Sequence, residues 1–253
     1  MNGPVRIGYY RYGPEDGRPV TFVHGFTQSG QSWLPIVEGL ADVSATLVNA
    51  PGHRRSEGID ADLPTCGDLI ADVMPEGALV GYSMGARMAL HTVLQHPGLA
   101  TSLVLVSGTP GIEDDAERAT RRTADNTLAD RIEKMDIADF IDEWLANPMF
   151  AGLTDEQRNV PDRLMNTPAG LASSLRHAGT GTQTPLWDRL HEITCPVLIV
   201  CGGNDAKFVA IGERMHAEIA GSTCVVVPGA GHTVHLEKPG EFTRILSAWI
   251  SAH

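Results

Sequence analysis

Six short runs rich in Val, Leu and Ile, each followed by a helix-length segment or by a loop of small and polar residues, constrain this chain more than any other feature. They are Val20–Val23, Ala45–Val48, Ala78–Val80, Leu103–Val106, Val197–Val200 and Cys224–Val227. Their apolar residues are continuous rather than alternating, the signature of strands buried on both faces of a mostly parallel sheet. Helices are expected over about Ser32–Leu40, Cys66–Met74, Met84–Gln95, Val209–Ile219 and Pro239–Trp249. Strand followed by helix, repeated, makes an α/β fold. Upstream, Val5–Tyr12 alternates more, and Pro14-Glu15-Asp16-Gly17 then leads into the next strand, which predicts an antiparallel hairpin at one sheet edge. The rhythm breaks over 110–193, where the chain turns polar and helix-forming, so the expected organisation is a core of 1–109 and 194–253 with a helical cap inserted at 110–193.

At 253 residues and 42% hydrophobic content, one substantial core can be buried. Nineteen Lys and Arg against 31 Asp and Glu give a net charge of −12, which disfavours nucleic acid and anionic lipid and points to a small molecule as partner. Met1–Gly13 lacks a charged segment followed by an apolar one, and no stretch approaches the roughly 18 apolar residues of a membrane span, so a cytoplasmic protein is expected. Cys66, Cys195, Cys201 and Cys224 lack metal-ligand or CxxC spacing and read as free thiols; neither metal nor cofactor is expected.

The chemistry gathers at the strand ends. Leu79-Val80-Gly81-Tyr82-Ser83-Met84-Gly85 sets G-x-S-x-G between a buried strand and an Ala-rich helix, where small neighbours permit a strained turn that exposes the Ser83 hydroxyl. His24-Gly25-Phe26 follows the Val20–Val23 strand, and the N–H groups of Phe26 and Met84 can converge on a developing oxyanion, with His24 holding the loop. Asp205 follows the penultimate buried strand, and His232 sits on the Gly-rich loop after the last one, in the order Ser, acid, His. His235 is a rival that the Gly-Ala-Gly-His context disfavours. Arg87, one turn after Ser83 on a helix that should be buried, needs a carboxylate to offset its desolvation, supplied either by the protein or by a substrate.

In elbow, oxyanion loop, acid and histidine, the chain resembles the α/β-hydrolase superfamily over nearly its whole length. Gly81-Tyr82-Ser83-Met84-Gly85-Ala86-Arg87 resembles the GYSMGGR signature of the 2-succinyl-6-hydroxy-2,4-cyclohexadiene-1-carboxylate synthase family of menaquinone biosynthesis. Glu117-Arg118 to Asp125, Trp144–Phe150, Ser174–Gln183 and Asp205-Ala206-Lys207-Phe208 are similar to the same family. That resemblance implies a lyase acting on a polycarboxylate: Ser83 would be a general base primed by His232 and Asp205, and the N–H groups of Phe26 and Met84 would stabilise an enolate. Arg87, Arg176 and Lys207 would bind carboxylates, with Arg122 chosen from a group in which Arg118 and Arg121 reach equally well, and Tyr82 and Trp144 would line the pocket. The chain departs from the family at Asn49–Ser56, where Arg54 and Arg55 follow His53, and at Ala86, a glycine position. The alternatives are a carboxylic-ester or C–C bond hydrolase with Ser83 as nucleophile, and a non-catalytic receptor for a small acid.

Overall fold

The computed structural model describes residues 5–253; Met1–Pro4, the start of the segment read above for targeting features, lie outside the described residues. Within it, seven strands form one sheet: β1 (Tyr9–Tyr12), β2 (Arg18–Val23), β3 (Val43–Val48), β4 (Gly77–Tyr82), β5 (Ala100–Val106), β6 (Val197–Gly202) and β7 (Thr223–Val227). Their spatial order is β1-β3-β2-β4-β5-β6-β7. All neighbours run parallel except β1 with β3.

The expected edge hairpin is corrected by this pairing. Gly17 N–H does bond Pro14 O at 3.1 Å, so the turn forms. But β1 lies antiparallel to β3, with Tyr9 opposite Val48 and Tyr12 opposite Ala45, because β2 already has β3 and β4 on its two sides. The expected helix over Ser32–Leu40 is also shorter: a tight turn at Gly30–Trp33 leads into α1 (Leu34–Val37).

Core helices flank the sheet. On one face α2 (Leu63–Ala71) and α3 (Met84–Gln95) share a core with Leu79, Leu103 and Ile199; on the other, α1 packs with the C-terminal helix around Val20, Phe22, Val80 and Leu198. Each fully buried Leu, Val or Phe contributes about 1.5–3 kcal/mol, so the two faces hold the sheet from both sides. Between β5 and β6 run α4 (Asp115–Ile132), α5 (Ile137–Leu145), α6 (Asp155–Arg158), α7 (Val160–Arg163) and α8 (Pro168–Ala178). The long polar α4 buries only Asp125, Ala129 and Ile132, a stripe at helical spacing, and packs on α8. The cluster these helices enclose includes Phe140, Ile141, Leu145, Phe150 and Leu171, and it admits Phe26 and Leu236 from the core. After β6 come α9 (Ala206–Glu218), α10 (Val234–Glu237) and α11 (Pro239–Ala252).

Register decides where the loops go. Val23 pairs with Gly81, Tyr82 with Val106 and Val106 with Val200, so the parallel strands end level with one another. The loops after β2, β4, β6 and β7 therefore open at one end of the sheet, where α/β folds form their crevice. Among the described residues, no helix is long and apolar enough to cross a membrane, and the four cysteines are free thiols.

Candidate active site

Ser83 is the hinge between β4 and α3, with φ 51° and ψ −106°. A non-glycine residue in this region is strained by roughly 1–3 kcal/mol and persists only when its surroundings over-determine it. Here β4 and α3 supply the constraint: a Cβ on Gly81 would stand 2.5 Å from Gly85 O and 2.7 Å from Ala86 Cα. Ser83 N–H bonds Val106 O at 2.8 Å, tying the turn to β5. Met84 opens α3, where the first-turn N–H groups have no carbonyl one turn earlier.

His232 Nδ1 lies 2.7 Å from Asp205 Oδ2, and His232 Nε2 lies 3.0 Å from Ser83 Oγ. An ionised carboxylate can only accept, so Nδ1 carries the proton, and Nε2 is left to accept from the Ser83 hydroxyl. Burial pushes the Asp205 carboxyl upward, but the hydrogen bond and charge of His232, helped by Phe208 N–H and Lys207, hold it below the usual carboxylate range. The histidine loop is fastened on both sides, since the Glu237 carboxylate accepts from Gly231 N–H at 2.7 Å, Thr233 N–H at 3.0 Å and Thr233 Oγ at 2.8 Å. The arrangement can draw a proton from Ser83 as that oxygen takes one from, or attacks, a bound molecule.

The loop after β2 is built on two neutral imidazoles. His24 Nε2 accepts from Ala50 N–H at 3.0 Å, and His53 Nε2 accepts from Thr27 N–H at 3.2 Å. Their Nδ1 atoms face Gly25 O and Pro51 O. Burial holds both well below the usual histidine range, His53 at about 4. His235 is also buried, with its ring among Trp33, Tyr82 and Phe242, away from Ser83 Oγ.

A cavity of about 1230 Å³ lies over Ser83. Phe26, Tyr82, Met84, Arg87, Trp144 and Lys207 line it, as do Ser83, Asp205 and His232. Arg87 is 6% exposed and donates to Ala178 O at 2.8 Å. Burial, and then the charge of Arg121, lower its pKa to about 10, against the pull of Asp125; it stays cationic at neutral pH.

Two expected ligand-binding residues are not brought to the cavity. Arg122 is exposed, and it is Arg121 that reaches the lining, bonded to Asp125 at 2.8 Å. The α4 stripe that begins at Asp125 faces inward, and position 121 lies one turn before it. Arg176 sits on the outer face of α8, paired with Asp130 at 2.7 Å and with Glu133 at 2.6 Å. The buried residues of α8 are Gly170, Leu171, Ala172, Ser174, Leu175 and Ala178, so position 176 points away. Of the arginines after His53, Arg54 is half-buried, 4.0 Å from Asp162, and Arg55 is exposed over the Tyr10 ring.

Sequence reasoning missed Arg163. At the end of α7, it is 2% exposed, lines the cavity and donates to Thr27 Oγ and, at 2.8 Å, to Arg158 O. Burial lowers its pKa to about 10. Nothing in Val160-Pro161-Asp162-Arg163 signals burial, because the segment reads as a polar turn. Among the described residues, neither Arg87 nor Arg163 has a salt-bridge partner, whereas of the lining acids Glu113, Asp125 and Asp205 are bound to Arg214, Arg121 and His232. No cluster of three metal-ligating side chains occurs among the described residues.

The alpha/beta hydrolase family model matches residues 22–245. The chain is 32% identical to the 2-succinyl-6-hydroxy-2,4-cyclohexadiene-1-carboxylate synthase of Escherichia coli O7:K1, covering 87% of this chain and 88% of that one. It is 35% identical to a Bacillus subtilis protein provisionally given the same name, covering 98% and 96%. Among solved structures it superposes on MenH from S. aureus with a TM-score of 0.90 at 28% identity, covering 98% of this chain and 99% of that one. A thermophilic esterase from Thermogutta terrifontis, 23% identical with a TM-score of 0.80, shares the fold.

Proposed function

The chain belongs to the alpha/beta hydrolase family, and we propose that it is a carbon–oxygen lyase, a 2-succinyl-6-hydroxy-2,4-cyclohexadiene-1-carboxylate synthase. Its substrate would be 2-succinyl-5-enolpyruvyl-6-hydroxy-3-cyclohexene-1-carboxylate, from which it eliminates pyruvate. Near full-length relatives of that name support the reading. The observation that carries it is Arg87: a buried guanidinium one turn from Ser83, lining the cavity without a carboxylate partner among the described residues. Such a cation favours an anionic substrate group, which restores what burial took away.

Substrate and product differ by the enolpyruvyl group and the position of the ring double bonds. The C2 proton, α to the succinyl ketone, leaves to the Ser83 oxygen as that oxygen's own proton passes to His232 Nε2. Asp205 stabilises the resulting imidazolium, and the Phe26 and Met84 N–H groups stabilise the enolate oxygen. The enolate pair forms C2=C3, the C3=C4 pair becomes C4=C5, and the C5–O bond breaks. The His232 proton goes to the departing enolpyruvate, which becomes pyruvate. No acyl-enzyme forms. The substrate carries three carboxylates, and Arg87, Arg121, Arg163 and Lys207 are the cationic side chains offered to them, with residues 110–193 acting as the cap. Tyr82 and Trp144 supply apolar wall. Among the described residues, Arg87 and Arg163, buried and outside any salt bridge, place positive charge at the cavity wall of a protein whose net charge is −12.

The test is pyruvate formation from that substrate by the unmodified chain. Release of pyruvate that is lost in Ser83→Ala is the expected result, and absence of pyruvate overturns the lyase reading. An acyl-enzyme burst with an activated ester, without pyruvate formation, would favour a serine hydrolase instead.

A further inference from the structure

Phe26 precedes a strained residue. Thr27 has φ 67°, a left-handed conformation that a β-branched side chain rarely adopts and that something outside the residue has to maintain. Each of its polar groups is bonded. Its N–H donates to His53 Nε2 at 3.2 Å, within the core. Its other two contacts come from the inserted segment, one from the end of α7 and one from the bend that follows it: the Arg163 guanidinium donates to Thr27 Oγ, and Asn166 Nδ2 donates to Thr27 O at 2.8 Å.

The same segment grips the loop a second time. Ser29 Oγ lies 2.8 Å from each carboxylate oxygen of Asp162, and Ser29 Oγ also accepts from Gln31 N–H at 3.1 Å. Asn166 is itself fixed, because its Oδ1 accepts from Arg54 N–H at 3.1 Å and its Nδ2 also donates to Arg163 O at 3.1 Å. Asn166, Thr27 and Ser29 are all buried, at 3%, 0% and 0% exposure. The Phe26 ring lies edge-on to Trp144 of α5, with centroids 5.2 Å apart.

We propose that Asn166, seconded by Asp162, is a positioning residue for the oxyanion donor: it holds Thr27 in its strained conformation and thereby aims the Phe26 N–H at the reacting oxygen. The core alone provides one bond to Thr27; the inserted segment provides the others. The oxyanion site is therefore completed only when α7 and the residues after it are seated on the core. Asn166 touches no reacting atom and acts through the backbone of Thr27. The inference rests on the assignment of Phe26 as an oxyanion donor and deepens the lyase reading.

Asn166→Asp tests it, because aspartate keeps the size and the acceptor for Arg54 N–H but cannot donate to Thr27 O. Displacing a preorganised donor weakens binding of the transition state, not of the ground state, so kcat for pyruvate release should fall about 10- to 100-fold with KM within about twofold. Amide exchange over Gly25–Ser29 should speed at least about tenfold while that of α3 is unchanged. Asn166→Ala removes the same donor without adding charge and carries the test if the aspartate variant does not fold. A kcat within twofold of the unmodified chain, or exchange over the loop unchanged, overturns the proposal. So does a loss expressed wholly in KM. If the unmodified chain forms no pyruvate, the lyase reading fails separately, and the clamp stands or falls on the exchange rates, which require no substrate.

Discussion

The floor and the ceiling of the cavity are built on different principles. The floor, made of the loops after β2, β4, β6 and β7, takes its geometry from strand register and from short-range strain: Ser83, Asp205 and His232 meet because parallel strands end level. The ceiling, α4 to α8, is helical and carries arginines whose fates diverge. Arg163 is buried over the cavity, Arg121 reaches its lining from α4, and Arg176 is spent on surface acids. On the proposed reading the floor carries the chemistry, and the ceiling adds recognition and, through Asn166, part of the floor's own alignment.

If this division holds, the largest effect belongs to the floor. Ser83→Ala should lower kcat for pyruvate release by about 10³-fold or more while leaving substrate affinity within a few-fold, since it removes the proton acceptor and no carboxylate contact. Stopped-flow rates with an equilibrium titration would check it, and an equal loss of affinity would break the division.

Next in size is the contrast between two guanidiniums. Arg87→Met should cut kcat/KM by about 10²-fold, mostly through KM, because a buried charge pair with the substrate is lost. Arg176→Met should change kcat/KM by no more than about twofold, its ion pairs being exposed and screened. A comparable loss in both variants would mean that α8 turns Arg176 inward when substrate binds.

A third effect lies inside the floor. A Cβ on Gly108 would stand 2.6 Å from the Ala86 Cβ, so the alanine that replaces the family glycine at position 86 is accommodated by a glycine at 108. Gly108→Ala should destabilise the fold by about 1–3 kcal/mol, the usual cost of overpacking, and Ala86→Gly should restore part of it. Chemical denaturation of the two single variants and the double variant measures the coupling, and additivity would break the pairing.

These contrasts also show what a sequence can and cannot disclose. Ser83, His232 and Asp205 were legible because each is announced locally, by glycines and by the end of an apolar run. Ala86 was legible as a departure, but not its partner Gly108, which is close only in space. Register hid the pairing of β1, since alternation says that a strand is at an edge and not which strand it meets. Arg176 looked available because its sequence neighbours are small and polar, yet the acids that neutralise it, Asp130 and Glu133, lie 46 and 43 residues away, in and just after the last turn of α4. Arg163 was silent for the converse reason: a polar turn became buried only because Thr27 and Phe150 close over it.

The smallest effect is a proton linkage that belongs to the floor alone. His53 is buried neutral beside Thr27, and burial, outweighing its bonds to Pro51 and Ala50, keeps its pKa at about 4. In the unfolded chain it returns to about 6.5. Between those values the unfolded state binds a proton that the folded state refuses, so His53 makes stability fall as pH drops from about 6.5 to about 4 and adds no further slope below that. One proton corresponds to at most about 1.4 kcal/mol per pH unit. Urea unfolding at pH 7, 6 and 5 should show that decline, made shallower by up to one proton in His53→Gln, whose amide oxygen can still accept from Thr27 N–H. Because His53 and Asn166 hold Thr27 from opposite sides, acid should loosen the Gly25–Ser29 loop sooner in Asn166→Asp than in the unmodified chain. An identical pH slope in His53→Gln would assign the acid sensitivity to the other buried imidazoles of lowered pKa, His24, His91 and His235.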